Sequence, residues 1–251
     1  ALYVVAAYLF YSCVVLWQMP LWSAAIITLL LTSLLSWCTE LAVYAPLRRK
    51  NASHNVAMIA SIGLMTMLVN VVALIFGNET KVVNSALQKT FSFRDLIITT
   101  PQMAQFIVGA LMLVAFILFV RFSSWGTRLK ALSTDSSLYQ TLGYNPGATR
   151  ALVFLLSGVF IAVASGLTVY DVGMDPHMGM TVLINAMVAM IIGGVGRFGA
   201  CILGGITLGV VQSVVVYFAS SSWQNAITFL VLIIFLFVCP QGIAGYKQRT
   251  V

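Results

Sequence analysis

Long runs of apolar residues, separated by short polar stretches, dominate the pattern along the chain. A helix needs about 20 mostly apolar residues to cross the hydrocarbon core of a membrane, and most of these runs reach or approach that length. The apolar positions are continuous and do not alternate with a period of two, which predicts helices and not a β-barrel. The predicted membrane segments lie at about 2–18, 22–45, 55–76, 102–121, 150–170, 180–194, 199–218 and 223–244.

The predicted segment 180–194 is shorter than the others. It could be a tilted, broken or re-entrant helix that neighbouring protein shields from lipid. Composition agrees with a membrane protein, since 61% of the residues are hydrophobic and 8% are charged, against about 25% charged residues in soluble domains. The sequence therefore predicts an all-α fold, a polytopic transmembrane helix bundle with residues 1–251 in a single domain. Because Ala1 already lies inside an apolar run and no basic region precedes it, we predict no signal peptide and expect a natural N-terminal portion upstream.

The basic residues predict the orientation of the chain. Ten of the thirteen Lys and Arg residues fall on one side of an alternating path through the segments. The positive-inside rule then places 46–54, 122–149 and the C-terminus in the cytoplasm, and loops 77–101 and 171–179 outside. This topology accounts for the net charge of +7, so nucleic acid is not predicted as a partner. The basic-side residues are Arg48, Arg49, Lys50, Arg121, Arg128, Lys130, Arg150, Arg197, Lys247 and Arg249.

The sequence contains no pattern typical of catalysis or nucleotide binding. It has no G-x-x-x-x-G-K-[ST] loop and no Ser-His-Asp or Cys-His arrangement. Residues Gly194 to Gly199 match G-x-G-x-x-G, but no Asp or Glu follows Asp175, so a dinucleotide site is not predicted. The four cysteines lie in apolar runs, and His54 and His177 lack partners at metal-ligand spacing. We therefore predict no metal site, no cofactor and no enzymatic activity.

Glycines cluster between the sixth and seventh predicted segments and continue into the seventh. They break the chain between the two segments, and small residues four apart let helix backbones approach closely. Two interpretations stay open, helix packing alone or the shaping of a pathway through the membrane. The glycines singled out for these roles are Gly193, Gly194, Gly196, Gly205 and Gly209.

Segment 122–149 is polar and predicted to be cytoplasmic. Asp135 suits a helix N-cap and Gly143 suits the position after a helix end, while Asn145 and Pro146 suit the cap and first residue of the next span. The pattern predicts two short helices with a turn between them at the inner face. It is compatible with a solvated connector or interfacial helix pair, and with a docking surface for a soluble partner.

Four blocks, in order along most of the chain, resemble the Liv-type permeases of branched-chain amino acid ABC importers. They comprise 40–48 with 59–63, 121–131 continuing through 142–150, 175–179 continuing through 192–209, and 240–243. The resemblance implies a second permease subunit (related or identical), two cytoplasmic ATP-binding subunits and an extracytoplasmic substrate-binding protein. It also implies that 122–149 is the loop that couples to the ATPase. The residues matching this coupling region are Gly126, Arg128, Ala131, Asp135, Leu142 and Gly143.

The chain departs from the family pattern in places. Leu41 and Ala45 stand where members often carry Arg, and Arg197 with Phe198 stand where many amino acid permeases have Ser-Ile. Urea permeases resemble this last loop too. The family's N-terminal helices would lie upstream of Ala1.

These observations predict a permease subunit of the bacterial cytoplasmic membrane. It would translocate branched-chain or related amino acids by alternating access, driven by partner ATPase subunits. The alternatives are a permease for urea or another small polar solute, and a stand-alone ion-coupled carrier. The carrier is disfavoured because none of the six acidic residues lies in the middle of a predicted span.

A few polar side chains inside the predicted spans are candidates for the substrate pathway. An amide or hydroxyl inside a span usually faces protein or water instead of lipid. Hydrogen bonding between helices is the alternative role for each of them. The candidates are Ser61, Thr66, Asn70 and Asn185.

Overall fold

The computed structural model describes residues 1–50, 52–83, 90–93, 96–134, 136–194, 198–218, 220–238 and 242. Helices make up most of these residues, which confirms the predicted all-α helix bundle. The chain divides into two compact units, which we call unit 1 (Ala1–Met178) and unit 2 (Gly179–Val251).

Unit 1 contains eight α-helices in its described part. Two short π-helical segments, Ser12–Leu16 and Glu40–Tyr44, extend α1 and join α2 to α3. The second π segment ends two residues before Pro46, whose missing N–H and bulky ring disturb the hydrogen bonds of the preceding helical turn. The helices are α1 (Leu2–Tyr11), α2 (Leu21–Thr39), α3 (Ala45–Arg49), α4 (His54–Phe76), α5 (Thr100–Phe122), α6 (Ser124–Thr134), α7 (Ser136–Thr141) and α8 (Pro146–Val172).

Helices α2 and α8 form the closest helix pair of unit 1. A Cβ on Gly158 of α8 would lie 2.6 Å from the Cα of Ser33 in α2. Nearby, the Ser36 hydroxyl donates a 2.6 Å hydrogen bond to the backbone oxygen of Phe154. Small and hydroxylated residues at such an interface let two membrane helices approach closely, since lipid supplies no hydrophobic force between them. The buried polar residues on this side of α2 are Thr28, Thr32, Ser33, Ser36 and Thr39.

The hydrophobic core of unit 1 is built around α1. Tyr8 is buried and its ring lies 4.9 Å from the ring of Phe76 in α4. Val169 of α8 completes the same buried cluster. By contrast, the outer surfaces of α4 and α5 are rich in exposed apolar side chains such as Leu74 and Phe106, as expected for helices that face lipid or another membrane chain.

A short antiparallel β-hairpin lies within the predicted loop 77–101. Strand β1 (Thr90–Phe93) pairs with β2 (Leu96–Thr99), with Thr90 opposite Thr99 and Phe93 opposite Leu96. These two strands were not predicted from the sequence, because four residues form too short a pattern to detect by periodicity.

Unit 2 contains α9 (Met178–Gly193), which starts at the unit boundary, then α10 (Phe198–Phe218), a 3₁₀ turn (Ser221–Trp223) and α11 (Gln224–Val238). Val188, Ile192 and Leu208 form its buried core, against which side chains of α11 pack. Helices α9 and α10 run antiparallel, because Gly193 contacts Ala200 and Ala189 contacts Gly204.

Eight apolar helices correspond to the eight predicted segments, but their lengths differ from the prediction. The sequence indicated one short segment, whereas three described helices are shorter than 18 residues. The 16 residues of α9 span about 24 Å at 1.5 Å per residue, less than the roughly 30 Å hydrocarbon core. The short ones are Leu2–Leu16, Met178–Gly193 and Ser221–Phe237, and the five long enough to cross are Leu21–Arg49, Asn55–Phe76, Thr100–Phe122, Pro146–Val172 and Gly199–Phe218.

Candidate functional site

The polar segment 122–149 folds into two short helices that turn back onto the ends of α5 and α8. Ser123 is extended and interrupts the helix after Phe122, and its hydroxyl accepts a hydrogen bond from the Trp125 backbone N–H at 3.2 Å. Gly126 is buried against α5, where a Cβ would overlap the backbone of Val120. This close contact holds α6 tightly against the end of α5.

Helix α7 is tied to α8 by a buried hydrogen bond. The hydroxyls of Tyr139 and Thr149 lie 2.8 Å apart, and both side chains are about 2% exposed. Gly143 has a φ of +81°, which ends the α7 segment in the left-handed conformation that glycine adopts without strain. The Asn145 side chain then accepts from the Gly147 N–H at 2.9 Å and caps α8. The predicted helix pair, the Gly143 turn and the Asn145 cap are therefore confirmed.

Arg128 links α6 to the turn before α8. Its guanidinium lies 4.7 Å from the Trp125 ring and 5.1 Å from the Tyr144 ring, and the Tyr144 ring stacks on Tyr139 at 5.3 Å. Cation–π contacts of this kind hold a guanidinium in a defined position. Arg128 thus stabilises the α6–α7 element from within, in addition to any contact with a partner.

The other predicted coupling residues differ in exposure. Ala131 and Gly143 are exposed, and Leu142 is 64% exposed, whereas Gly126 is buried. Asp135 lies outside the described residues, so its predicted N-cap role stays a prediction. Within the described part, Gly126 and Arg128 support the element and Ala131 with Leu142 form part of its outer surface.

An ion pair between a buried carboxylate and a partly exposed guanidinium lies near the same end of unit 1, and it was not among the predicted features. Glu40, in the π segment after α2, is 1% exposed and accepts hydrogen bonds from the Arg48 guanidinium. Arg150 in the first turns of α8 lies close enough to both for their charges to act on it. Nearby, the rings of Tyr44 and Phe154 pack together with their centroids 5.3 Å apart. An acidic residue at the end of an apolar run, followed by Arg eight positions later, is the signal that could have predicted this pair.

At the opposite end of unit 1, the loops after α4 and α8 are joined. Lys81 and Met174 exchange two backbone hydrogen bonds of 2.8 Å. The Lys81 ammonium also lies 5.6 Å from the ring centres of both Tyr11 and Phe76. Loops 77–101 and 171–179, predicted to share a membrane face, therefore meet at one end of the unit.

The pathway candidates on α4 point away from the helices of unit 1. Thr66 and Asn70 are exposed and Ser61 is partly exposed. Each donates to a backbone oxygen of α4 itself, with Ser61 bonding Met58, Thr66 bonding Ile62 and Asn70 bonding Thr66. Hydrogen bonds between helices, the alternative role, are not among the contacts of these side chains in the described part of the chain.

Asn185, the remaining pathway candidate, belongs to a polar network in unit 2. Gln212 of α10 donates to Asn185 Oδ1 at 3.2 Å and to Thr228 Oγ1 at 2.7 Å. Gln224 donates in turn to Gln212 Oε1 at 3.3 Å. The predicted site residues did not include Gln212, Thr228 or Gln224. The sequence signal that could have identified this network is an amide side chain well inside an apolar run, as at Gln212.

The predicted packing glycines divide into two groups in the structure. Gly193 lies in a close backbone contact with α10, and Gly194 follows it with a φ of +104° where α9 ends. Gly205 and Gly209 have no described atom within 4 Å of the position a Cβ would take. The sequence also offered Ala200 and Gly204 as a close-packing pair of small residues, and it is this pair that contacts α9. Gly196 lies outside the described residues.

Residues 1–236 match a family model described as the branched-chain amino acid transport system / permease component. The chain belongs to this family. It is therefore a multi-pass membrane protein that serves as a transport component and not as an enzyme.

Relatives in both bacteria and archaea are similar to the chain. It is 29% identical over 230 residues to the high-affinity branched-chain amino acid transport system permease protein LivH of Salmonella typhimurium, covering 88% of this chain and 73% of that one. It is 28% identical over 227 residues to the permease protein BraD of Pseudomonas aeruginosa, with the same coverage. The probable LivH of Methanocaldococcus jannaschii is 26% identical over 220 residues, covering 81% and 68%. No solved structure matches the chain.

Proposed function

We propose that this chain is the permease subunit of an ABC importer that moves branched-chain or related amino acids across the bacterial cytoplasmic membrane by alternating access. The observation that carries the proposal is the α6–α7 element, which is anchored to two long helices and leaves an outer surface for a partner. The named relatives belong to branched-chain amino acid transport systems, which supports this substrate class.

The contacts of α6 and α7 suit them to transmit a movement. Gly126 connects α6 to α5 through backbone contact, and the Tyr139–Thr149 hydrogen bond connects α7 to α8. Helix α8 packs in turn on α2 through Gly158. A displacement of α6 and α7 by an ATP-binding subunit would therefore reach three long helices without passing through a flexible linker.

We place the α6–α7 end of unit 1 in the cytoplasm. Arg48, Arg128 and Arg150 lie at this end, and the positive-inside rule favours that side. The joined loops that contain Lys81 and Met174 then face outward, where a substrate-binding protein would dock.

We propose that polar residues of each unit line the pathway, namely Ser61, Thr66 and Asn70 on the α4 helix of unit 1 and Asn185 in unit 2. Thr66 and Asn70 are exposed in the middle of an apolar span, where lipid contact is unfavourable for polar groups. A second permease subunit, related or identical, would cover this face of α4, and the substrate would move between the two.

Co-purification with the ATP-binding subunits tests the proposal. Lys130 lies exposed on α6, and Lys50 is equally exposed at the same end of unit 1 but outside α6 and α7. We expect Lys130→Glu to reduce the amount of co-purified ATPase severalfold and Lys50→Glu to leave it unchanged. ATP-independent uptake, with no ATPase subunit present, would rule the proposal out.

Urea is the second candidate substrate, because the sequence around Arg197 and Phe198 resembles urea permeases. Uptake of radiolabelled leucine and urea by the same reconstituted complex separates the two.

A further inference from the structure

The donors and acceptors in the hydrogen-bond network of unit 2 (Asn185, Gln212, Thr228 and Gln224) can be assigned. This assignment determines which atoms of Asn185 are left to contact another molecule. We infer that Asn185 is a specificity-determining residue that donates its amide N–H groups to the carboxylate of the transported amino acid, and that Gln212 and Thr228 are positioning residues that hold it in this orientation. This inference rests on the proposed function and names the group of the substrate that unit 2 recognises.

The assignment of donors and acceptors starts from Thr228. Its side chain is fully buried in α11, and its hydroxyl donates to the backbone oxygen of Gln224 at 2.9 Å. With its single proton used in this way, the Thr228 oxygen can only accept another hydrogen bond. The neighbouring Gln212 must therefore turn its nitrogen, and not its oxygen, toward Thr228, and it does so at 2.7 Å.

The orientation of the Gln212 amide in turn determines the orientation of the Asn185 amide. Gln212 Oε1 accepts from the Gln224 side-chain nitrogen at 3.3 Å, which agrees with this orientation. The second N–H of Gln212 is left for Asn185, and it meets Asn185 Oδ1 at 3.2 Å. A reversed Asn185 amide would place two donors against each other, which is unfavourable where water is scarce.

This orientation leaves the amide nitrogen of Asn185 available to another molecule. Because the oxygen already accepts one hydrogen bond from Gln212, the two N–H donors are the groups that the side chain chiefly offers to another molecule. In the described part of the chain, the Asn185 amide nitrogen has no hydrogen bond of its own, and the side chain is half-buried and thus reachable. Two oriented N–H groups inside an apolar helix bundle match an anionic acceptor such as a carboxylate, and they would disfavour a cation.

The experiment uses the full transport complex, with its ATP-binding subunits and binding protein, in proteoliposomes. Uptake of radiolabelled leucine and ATP hydrolysis are measured on the same preparation. Asn185→Asp keeps the shape of the side chain but replaces the donors by acceptors. Because a hydrogen bond to a charged group corresponds to about tenfold or more in rate or affinity, we expect leucine uptake to fall at least about tenfold while ATP hydrolysis stays within about twofold.

The positioning role is tested at Thr228, away from the substrate. Thr228→Val keeps the volume but removes the acceptor that orients Gln212, and we expect uptake per ATP hydrolysed to fall about threefold. Thr228→Ser keeps the hydroxyl and should restore the wild-type ratio. Ser213→Ala is the control, because Ser213 follows Gln212 on α10 and its hydroxyl donates to the Gly209 backbone oxygen and to no other group among the described residues.

Each result decides the question. Unchanged leucine uptake in Asn185→Asp, or a parallel fall of uptake and ATP hydrolysis in both Asn185→Asp and Thr228→Val, overturns the inference. Equal effects of Thr228→Val and Thr228→Ser overturn the positioning role.

If Asn185→Asp does not assemble, the comparison of Thr228→Val with Thr228→Ser decides whether the inference holds. Wild-type uptake of urea but not leucine overturns the carboxylate assignment, whereas the absence of any ATP-driven uptake by the wild type contradicts the proposed function itself.

Discussion

At the scale of single residues, the structure separates glycines that pack closely from glycines that do not. Gly126 and Gly158 lie against the backbone of another helix, whereas Gly63 and Gly109 have open space where a Cβ would lie. Sequence spacing cannot make this distinction, because it depends on which helix lies opposite. The two kinds of glycine should respond differently to substitution.

Gly126→Ala is expected to destabilise the protein, since the added Cβ would overlap the Val120 backbone, which cannot move away as a side chain could. Overpacking of this kind costs about 1–3 kcal/mol. Thermal unfolding of the purified protein in detergent measures the effect. Gly109→Ala on α5 is the control and should be neutral or slightly stabilising, since alanine favours helix over glycine by about 1 kcal/mol. Equal melting temperatures for the two variants would contradict the close contact.

At the scale of helices, α6 and α7 are too short to be stable alone, and their position depends on contacts with α5 and α8. Isolated helices shorter than about 12 residues are marginal in water, and α7 has six residues. The buried Tyr139–Thr149 hydrogen bond and the Arg128 stack therefore hold the element in place. If the element couples to an ATPase, weakening these contacts should loosen it.

Tyr139→Phe removes the hydroxyl and keeps the ring. A hydrogen bond contributes about 1 kcal/mol net, equivalent to roughly a fivefold change in an opening equilibrium. We expect trypsin to cleave after Arg128 and Lys130 about fivefold faster in this variant under native conditions. Tyr144→Phe is the matched control, because the Tyr144 ring stacks on Tyr139 and Arg128 while its hydroxyl has no hydrogen bond given by the described residues. A cleavage rate equal in both variants would mean that the hydrogen bond does not hold α7.

At the scale of the whole molecule, topology is the property on which the proposed function depends. The contacts within unit 1 bring Arg48 and Arg150 to one end, and join the loops after α4 and α8 through Lys81 and Met174 at the other. In unit 2, α9 and α10 lie side by side from Gly193 to Asn185, opposite Ala200 and Gln212. This contact covers roughly 12 Å of helix, so the proposed full crossing of α9 rests instead on the positive-inside rule, which places Arg197 and the basic C-terminus on the cytoplasmic side.

Labelling of single cysteines with a membrane-impermeant reagent tests this topology in intact cells. We expect Glu79→Cys and Ser221→Cys to react from outside and Ser133→Cys to react only after the cells are opened. Labelling of Ser133→Cys from outside would reverse the orientation and remove the basis for ATPase coupling. Failure of Ser221→Cys to react from outside, with Glu79→Cys reactive, would instead show that α9 does not cross. The native cysteines to be replaced first are Cys13, Cys38, Cys201 and Cys239.

The helical membrane fold, the positions of the spans and the short helix pair in 122–149 could be predicted because they depend on local properties. Twenty apolar residues need a membrane whatever surrounds them, and the Asn145–Pro146 start and the Gly143 end act over a few neighbouring residues. The family likewise followed from ordered blocks of sequence.

The tertiary structure alone decided which distant residues meet. The Glu40–Arg48 pair beside Arg150, the docking of Tyr139 on Thr149 and the Asn185–Gln212–Thr228 network depend on how helices pack. The packing of α9 on α10 likewise decided between the two predicted pairs of small residues, and it selected Ala200 with Gly204 over Gly205 with Gly209. Hydropathy carries little information about rotation when a helix is apolar on all sides, because lipid and protein interior then favour the same residues.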